Sequence, residues 1–157
     1  MRYTIKAILL FALVLSIANA EYWFQSGARA GNSAAFNNGA MVSIETIEPQ
    51  FPKSGSMAFW VGENLNNGAF LQIGYTIQNQ SGLYPNNCTV NGCSGHVYLT
   101  AGNATWFYEY FLPNKNSTFL GSLGPDGSAG PNGTFHTYGF YSLGNTWYFV
   151  FDGKVVG

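Results

Sequence analysis

Apolar and polar residues alternate along most of the chain, and no stretch after residue 20 repeats with the 3.6-residue period of an amphipathic helix. In the stretch 70–78, one side of an extended strand would carry only large apolar side chains, namely Leu71, Ile73, Tyr75 and Ile77. The other side carries Phe70, Gln72, Gly74, Thr76 and Gln78. A two-residue period of this kind is typical of a β-strand that covers a core with one face. The pattern excludes a helical fold and predicts an all-β protein.

The same alternation predicts further strands, which are separated by clusters of Asn, Gly and Pro. We expect strands at 40–48, 56–62, 70–78, 96–101, 105–112, 134–143 and 146–151, with shorter ones at 22–26 and 117–120. Seven or more short strands joined by such turns predict an antiparallel two-sheet sandwich or jelly roll.

Glycine recurs at every third position from Gly121 to Gly133, in the sequence GSLGPDGSAGPNG. A collagen triple helix needs this repeat over a much longer tract. Gly-Pro-Asp-Gly and Gly-Pro-Asn-Gly are both turn sequences, in which Pro presets the first corner. We therefore expect an ordered loop over one end of the sandwich.

The first twenty residues differ from the rest of the chain. Arg2 and Lys6 precede an almost continuous apolar run at 7–17, and Ala18-Asn19-Ala20 follows as a small-x-small cleavage sequence. This order is typical of a secretory signal peptide. An uncleaved anchor is the alternative, but the run is short for a membrane span of about 20 residues. We predict a signal peptide over 1–20, one β-sandwich domain over 21–157, and a secreted or cell-surface protein with no stable membrane span.

The end of the sequence predicts an incomplete hairpin. Asp152-Gly153 is a tight-turn sequence, and the return strand begins at Lys154 and reaches only Gly157. A hairpin of this kind leaves an unpaired strand edge, which favours association. We expect either a further C-terminal part or a strand supplied by another molecule, including a second copy of the chain.

Cys88 and Cys93 predict a short-loop disulfide, because disulfides are the usual state of paired cysteines in exported proteins. A metal site built from these two thiols and His96 would lack a fourth ligand, so we predict neither a metal nor another cofactor. Five Asn-x-Ser/Thr sequons predict N-glycosylation; they begin at Asn79, Asn87, Asn103, Asn116 and Asn132.

Charged residues make up 8% of the chain and the formal net charge is −1. A nucleic-acid-binding protein needs a basic surface, so that class is excluded. Because few groups titrate, we also expect the stability of the fold to change little with pH, as suits an acidic exterior.

The late hairpin resembles those of the concanavalin A-like lectin and glucanase jelly rolls. Its residues run from Phe135-His136-Thr137-Tyr138 through Trp147 to Asp152-Gly153-Lys154. Laminarinase-type glycosidases of that superfamily carry Glu-x-Asp-x-x-Glu on a central strand, whereas the corresponding strand here, 70–75, contains no acid. The resemblance implies a jelly roll, and the missing carboxylate pair argues against glycosidase activity.

Two other stretches resemble the glutamic peptidases, or eqolisins, which are acid-active enzymes of similar shape. The first is Trp60-Val61-Gly62, a turn, and then Leu71-Gln72-Ile73-Gly74; the second is the aromatic strand WFYEYFLP at 106–113. The chain departs from the family in a shorter turn and in one extra residue before Pro113.

In that family a Gln and a Glu form a catalytic dyad, in which the carboxyl group activates water and the amide stabilises the oxyanion. The resemblance implies that Gln72 is the catalytic Gln and that Trp60 and Glu109 line the site. The family's catalytic Glu has no counterpart here and would lie on a strand beyond Gly157.

We expect a secreted sandwich that binds glycans or cell-envelope polymers through Gln72 and the aromatic-rich strands. The expected binding residues are Trp60, Phe70, Trp106, Tyr108, Glu109 and Tyr110. Alternation places Trp106, Tyr108 and Tyr110 on one face of their strand, and Phe107, Glu109 and Phe111 on the other. The alternatives are an acid glutamic endopeptidase that cleaves peptide substrates and a strand-exchanging filament or coat subunit.

Overall fold

The computed structural model describes residues 38–47, 55–113 and 119–157. The predicted signal peptide at 1–20, the strand at 22–26 and the sequon at Asn116 lie outside these residues. Within the described ranges, no helix is long and apolar enough to cross a membrane.

The described residues form ten strands and no α-helix. The strands are β1 (Gly39–Glu45), β2 (Ser56–Asn64), β3 (Phe70–Gln78), β4 (Gly82–Thr89), β5 (Gly92–Leu99), β6 (Ala104–Phe111), β7 (Gly121–Leu123), β8 (Phe135–Leu143), β9 (Thr146–Phe151) and β10 (Lys154–Val155). They pair antiparallel in a four-stranded sheet, β1-β8-β9-β10, and a six-stranded sheet, β2-β3-β6-β7-β4-β5. The predicted all-β, two-sheet antiparallel sandwich is confirmed.

The core lies between the two sheets and is rich in aromatic rings. On β3 the side chains of Ile73 and Tyr75 are completely buried, and the ring centroid of Tyr75 lies 6.3 Å from that of Tyr138 on the opposite sheet. Tyr108 of β6 stacks on Phe149 of β9 with centroids 4.6 Å apart. The alternation along β3 therefore predicted the correct buried face.

β4 is a strand that the sequence analysis did not predict. Its sequence, GLYPNNCT, contains Pro and two Asn residues, which favour turns. It nevertheless pairs with β5 from Gly82 opposite Leu99 to Thr89 opposite Gly92, and the predicted disulfide Cys88–Cys93 joins these two strands. Pro85 is tolerated because β7, the other neighbour of β4, pairs only at Cys88.

The Gly-rich segment forms the ordered turns that its sequence predicts. The backbone N–H of Ser128 donates to the carbonyl of Pro125 at 3.0 Å, and that of Thr134 donates to the carbonyl of Pro131 at 3.2 Å. Between these turns Ala129 is completely buried, and its carbonyl accepts a hydrogen bond from the hydroxyl of Thr46. The segment is therefore anchored to the end of β1 rather than loosely attached.

Candidate functional site

Two polar residues meet on the face of the six-stranded sheet that points away from the core, which we call the outer face. Gln72 of β3 lies in register with Glu109 of β6, with Gly62 of β2 on its other side. The Nε2 atom of Gln72 donates a hydrogen bond to Oε2 of Glu109 at 2.7 Å. Because cross-strand neighbours share a face, both side chains point away from the other sheet.

Glu109 sits in a partly desolvated position. Phe107 and Phe111 lie two residues before and after it and therefore share its face. Burial raises the pKa of the Glu109 carboxyl above its ordinary value of 4.5, and the hydrogen bond from Gln72 opposes this rise only in part. The pair thus combines an oriented amide with a carboxyl group that takes up a proton more readily than one in water.

Aromatic side chains lie on both sides of this pair along the strands. Trp60, in register with Gly74, is 40% exposed. On the other side, Phe70 and Phe111 face each other with ring centroids 5.9 Å apart. We define the outer-face site as the hydrogen-bonded pair together with its aromatic neighbours; its residues are Trp60, Phe70, Gln72, Glu109 and Phe111.

Two glycines let the strands beside β6 run close to their neighbours. A Cβ atom on Gly74 would lie 1.9 Å from the carbonyl oxygen of Phe59, and one on Gly121 would lie 2.1 Å from that of Tyr108. Both contacts are with backbone, which cannot yield as a flexible side chain can. The placement of β3 beside β2, and of β7 beside β6, therefore depends on glycine at these positions.

The predicted site residues divide between the two faces of the sheet. Trp60, Phe70, Gln72 and Glu109 gather on the outer face, whereas Trp106, Tyr108 and Tyr110 pack against the core. Only the first group can meet a ligand together. Phe111 was not among the expected binding residues, although alternation along β6 already places it on the face of Glu109.

The remaining candidate positions lie away from this site or have local partners. His136 Nδ1 lies 2.6 Å from Oδ2 of Asp152, and Nδ2 of Asn103 donates to Asp126 at 2.9 Å. A separate pocket of about 310 Å³ lies beside Asn103 and Pro131. In the described part of the chain, no three His, Cys, Asp or Glu side chains gather closely enough to hold a metal ion.

Comparison with known proteins identifies no relative. No family model matches the chain, and neither a curated protein nor a solved structure matches it significantly. The class of protein is therefore defined by its structure: an antiparallel β-sandwich with an aromatic-flanked amide–carboxyl pair on the outer face of its larger sheet.

Proposed function

We propose that this protein binds a neutral carbohydrate polymer outside the cell through the outer-face site. The observation that carries the proposal is the exposed indole of Trp60 beside the hydrogen-bonded pair of Gln72 and Glu109. Sugar rings present apolar C–H surfaces to aromatic rings and hydroxyl groups to amides and carboxylates, so this combination suits them.

The hydrogen-bonding capacity of the pair supports the same ligand class. After donating to Glu109, the Gln72 amide retains a second N–H and a carbonyl oxygen, and Glu109 retains further lone pairs. No Lys or Arg stands among the β2, β3, β6 and β7 residues. The described residues of the site can therefore exchange hydrogen bonds with hydroxyl groups but offer no cation to an acidic polymer.

A matched pair of aromatic substitutions tests the proposal. Trp60→Ala removes the exposed ring of the site, whereas Tyr141→Ala removes a ring of similar exposure, 39% against 40%, on the far side of the four-stranded sheet. On an array of neutral glycans, we expect wild type and Tyr141→Ala to be retained alike. Trp60→Ala should raise the dissociation constant by about tenfold or more, because it removes an aromatic ring that the bound ligand would cover. Equal binding by the two variants, or no retention of wild type, would contradict the proposal.

A second candidate function is peptide-bond hydrolysis at acidic pH. It is favoured because Trp60, Gln72 and Glu109, the positions named by the glutamic-peptidase resemblance, lie on one face and two of them share a 2.7 Å hydrogen bond. This candidate mechanism gives Glu109 the role that the resemblance assigns to a Glu beyond Gly157. The Glu109 carboxylate takes a proton from water as the water oxygen adds to the scissile carbonyl, and the second N–H of Gln72 stabilises the oxyanion. Glu109 then returns the proton to the leaving nitrogen as the C–N bond breaks.

Proteolysis of a denatured protein at about pH 5 to 6 tests this candidate, because Glu109 must be ionised to act as the base and burial raises its pKa. Gln72→Ala and Glu109→Gln should each abolish cleavage, since each removes one half of the pair. Glu63→Gln serves as the control, because Glu63 pairs with the inward-facing Leu71 and lies on the opposite face of β2. Absence of cleavage by wild type would eliminate the peptidase candidate and leave the binding proposal intact.

A further inference from the structure

We infer that ligand binding at the outer-face site is coupled to the uptake of one proton by Glu109, so that the protein binds its neutral ligand more tightly as the surroundings become more acidic. This inference rests on the proposed function and adds the regulation of the same site.

The first observation is that, among the residues that the structure describes, Glu109 is the one titratable group on its part of the outer face. Its outer-face neighbours on β2, β3 and β7 do not titrate: Trp60, Gly62, Asn64, Phe70, Gln72, Gly74, Gly121 and Leu123. On β4, Cys88 pairs with Gly121 but is held in the disulfide. Tyr108 and Tyr110, adjacent in sequence, point to the core side.

The second observation is the position of the nearest possible counter-charges. Within residues 38–47, 55–113 and 119–157, Lys154 is the sole Lys or Arg, and it belongs to β10 in the other sheet. The Glu109 carboxyl accepts its side-chain hydrogen bond from the neutral amide of Gln72. An ionised Glu109 therefore depends on water for much of its stabilisation.

A ligand on this site removes some of that water. An uncharged polymer lying between Trp60 and Phe111 would cover Glu109 and replace water with groups that compensate a full charge less well. The protonated carboxyl loses much less on being covered, and it gains an O–H that can donate to a sugar hydroxyl. The bound state therefore favours the protonated form, and by linkage a lower pH favours the bound state.

The expected change of the dissociation constant with pH follows from this linkage. If the bound state holds one more proton than the free state, the dissociation constant rises by up to about tenfold for each pH unit above the pKa of free Glu109, and levels off below it. The Glu109→Gln variant keeps the shape and neutrality of the protonated carboxyl, so its affinity should not change with pH.

An array of neutral glycans read at about pH 4 and about pH 7 separates the inference from the proposed function. Stronger retention at the lower pH for wild type and for the control Glu63→Gln, with equal retention at both pH values for Glu109→Gln, would support the inference. Equal retention of wild type at both values would overturn the inference and leave the binding function standing. No retention of wild type at either pH would overturn both.

Discussion

Two buried tyrosines that face each other across the core should respond in opposite ways to the loss of a hydroxyl group. Tyr75 and Tyr138 are both completely buried. The hydroxyl of Tyr75 donates to the carbonyl of Glu45 at 3.0 Å and accepts from the N–H of Ile47 at 3.1 Å. The hydroxyl of Tyr138 has no hydrogen-bond partner among the described residues. Replacing each with Phe removes the same atom from two different environments.

The magnitudes follow from these contacts. Tyr75→Phe loses two hydrogen bonds and leaves two backbone groups unpaired, which costs about 1–3 kcal/mol. Because Ile47 is partly exposed, water can compensate its N–H, and we expect a loss of about 1–2 kcal/mol. Tyr138→Phe removes a buried polar group that is not satisfied, so its effect should lie between neutral and about 1 kcal/mol of stabilisation. The two variants should therefore differ by about 2 kcal/mol, or roughly 8 °C in melting temperature.

Chemical denaturation followed by intrinsic fluorescence measures this difference, and Tyr141→Phe on the exposed face supplies a control that should match wild type. An unchanged m-value would show that the midpoints report stability alone. If Tyr138→Phe proved as destabilising as Tyr75→Phe, the hydroxyl of Tyr138 would have a stabilising partner, and the reasoning from its isolation would be refuted.

Three further predictions concern pH, the outer-face carboxyl and a glycine. Partial burial raises the pKa values of Asp126 and Asp152, but the hydrogen bonds to their carboxylates outweigh it and hold both pKa values below the ordinary 3.8. The two ionised carboxylates therefore stabilise the fold above pH 3.8, and this stabilisation is lost as the pH falls through their pKa values in the folded state. The melting temperature should therefore change little from pH 7 to about 4 and fall below it; a steep loss above pH 5 would contradict this. Burial raises the pKa of Glu109, so the protonated carboxyl stabilises the folded state and this stabilisation is lost as the pH rises. The variant Glu109→Gln should therefore have a higher melting temperature than wild type at neutral pH and the same melting temperature at about pH 3. A lower melting temperature of the variant at neutral pH would contradict the desolvation argument. Gly74→Ala should lower the free energy of unfolding by about 3 kcal/mol or more, because the new Cβ would meet the backbone of Phe59. Unfolding by urea at a midpoint near that of wild type would show that β2 and β3 can move apart without a loss of stability.

The faces of the strands could be predicted from the sequence more reliably than their partners. The two-residue period along β3 assigns Gln72 to the side away from the core, and the structure places it there. Along β6 the same period separates Glu109 from Tyr108 and Tyr110, but both faces are aromatic, so it does not say which face is buried. That Gln72 and Glu109 touch depends on the register between β3 and β6, which pairs residues 37 positions apart. Alternation within each strand cannot determine that register, because shifting β6 by two residues would preserve every buried face.

The strand β4 was missed because its residues have a low intrinsic preference for strands and are held in one by their partners in the sheet. β4 reads as a loop because of Pro85, Asn86 and Asn87, yet Asn86 acts through its side chain as a backbone group would. Its amide nitrogen donates to the carbonyl of Leu123 at 3.0 Å, and its amide oxygen accepts from the N–H of the same residue at 2.7 Å. A side chain that supplies hydrogen bonds between β4 and β7 in place of the backbone produces no periodic pattern in the sequence.

The scarcity of basic residues in the sandwich also bears on its persistence. Proteases that cut after Lys or Arg find three such peptide bonds after residue 37, which follow Lys53, Lys115 and Lys154. In the sequence, the first two positions fall between β1 and β2 and between β6 and β7, so none of these peptide bonds lies within β1 to β9. The strands themselves therefore offer trypsin-like enzymes few sites even when thermal motion opens them.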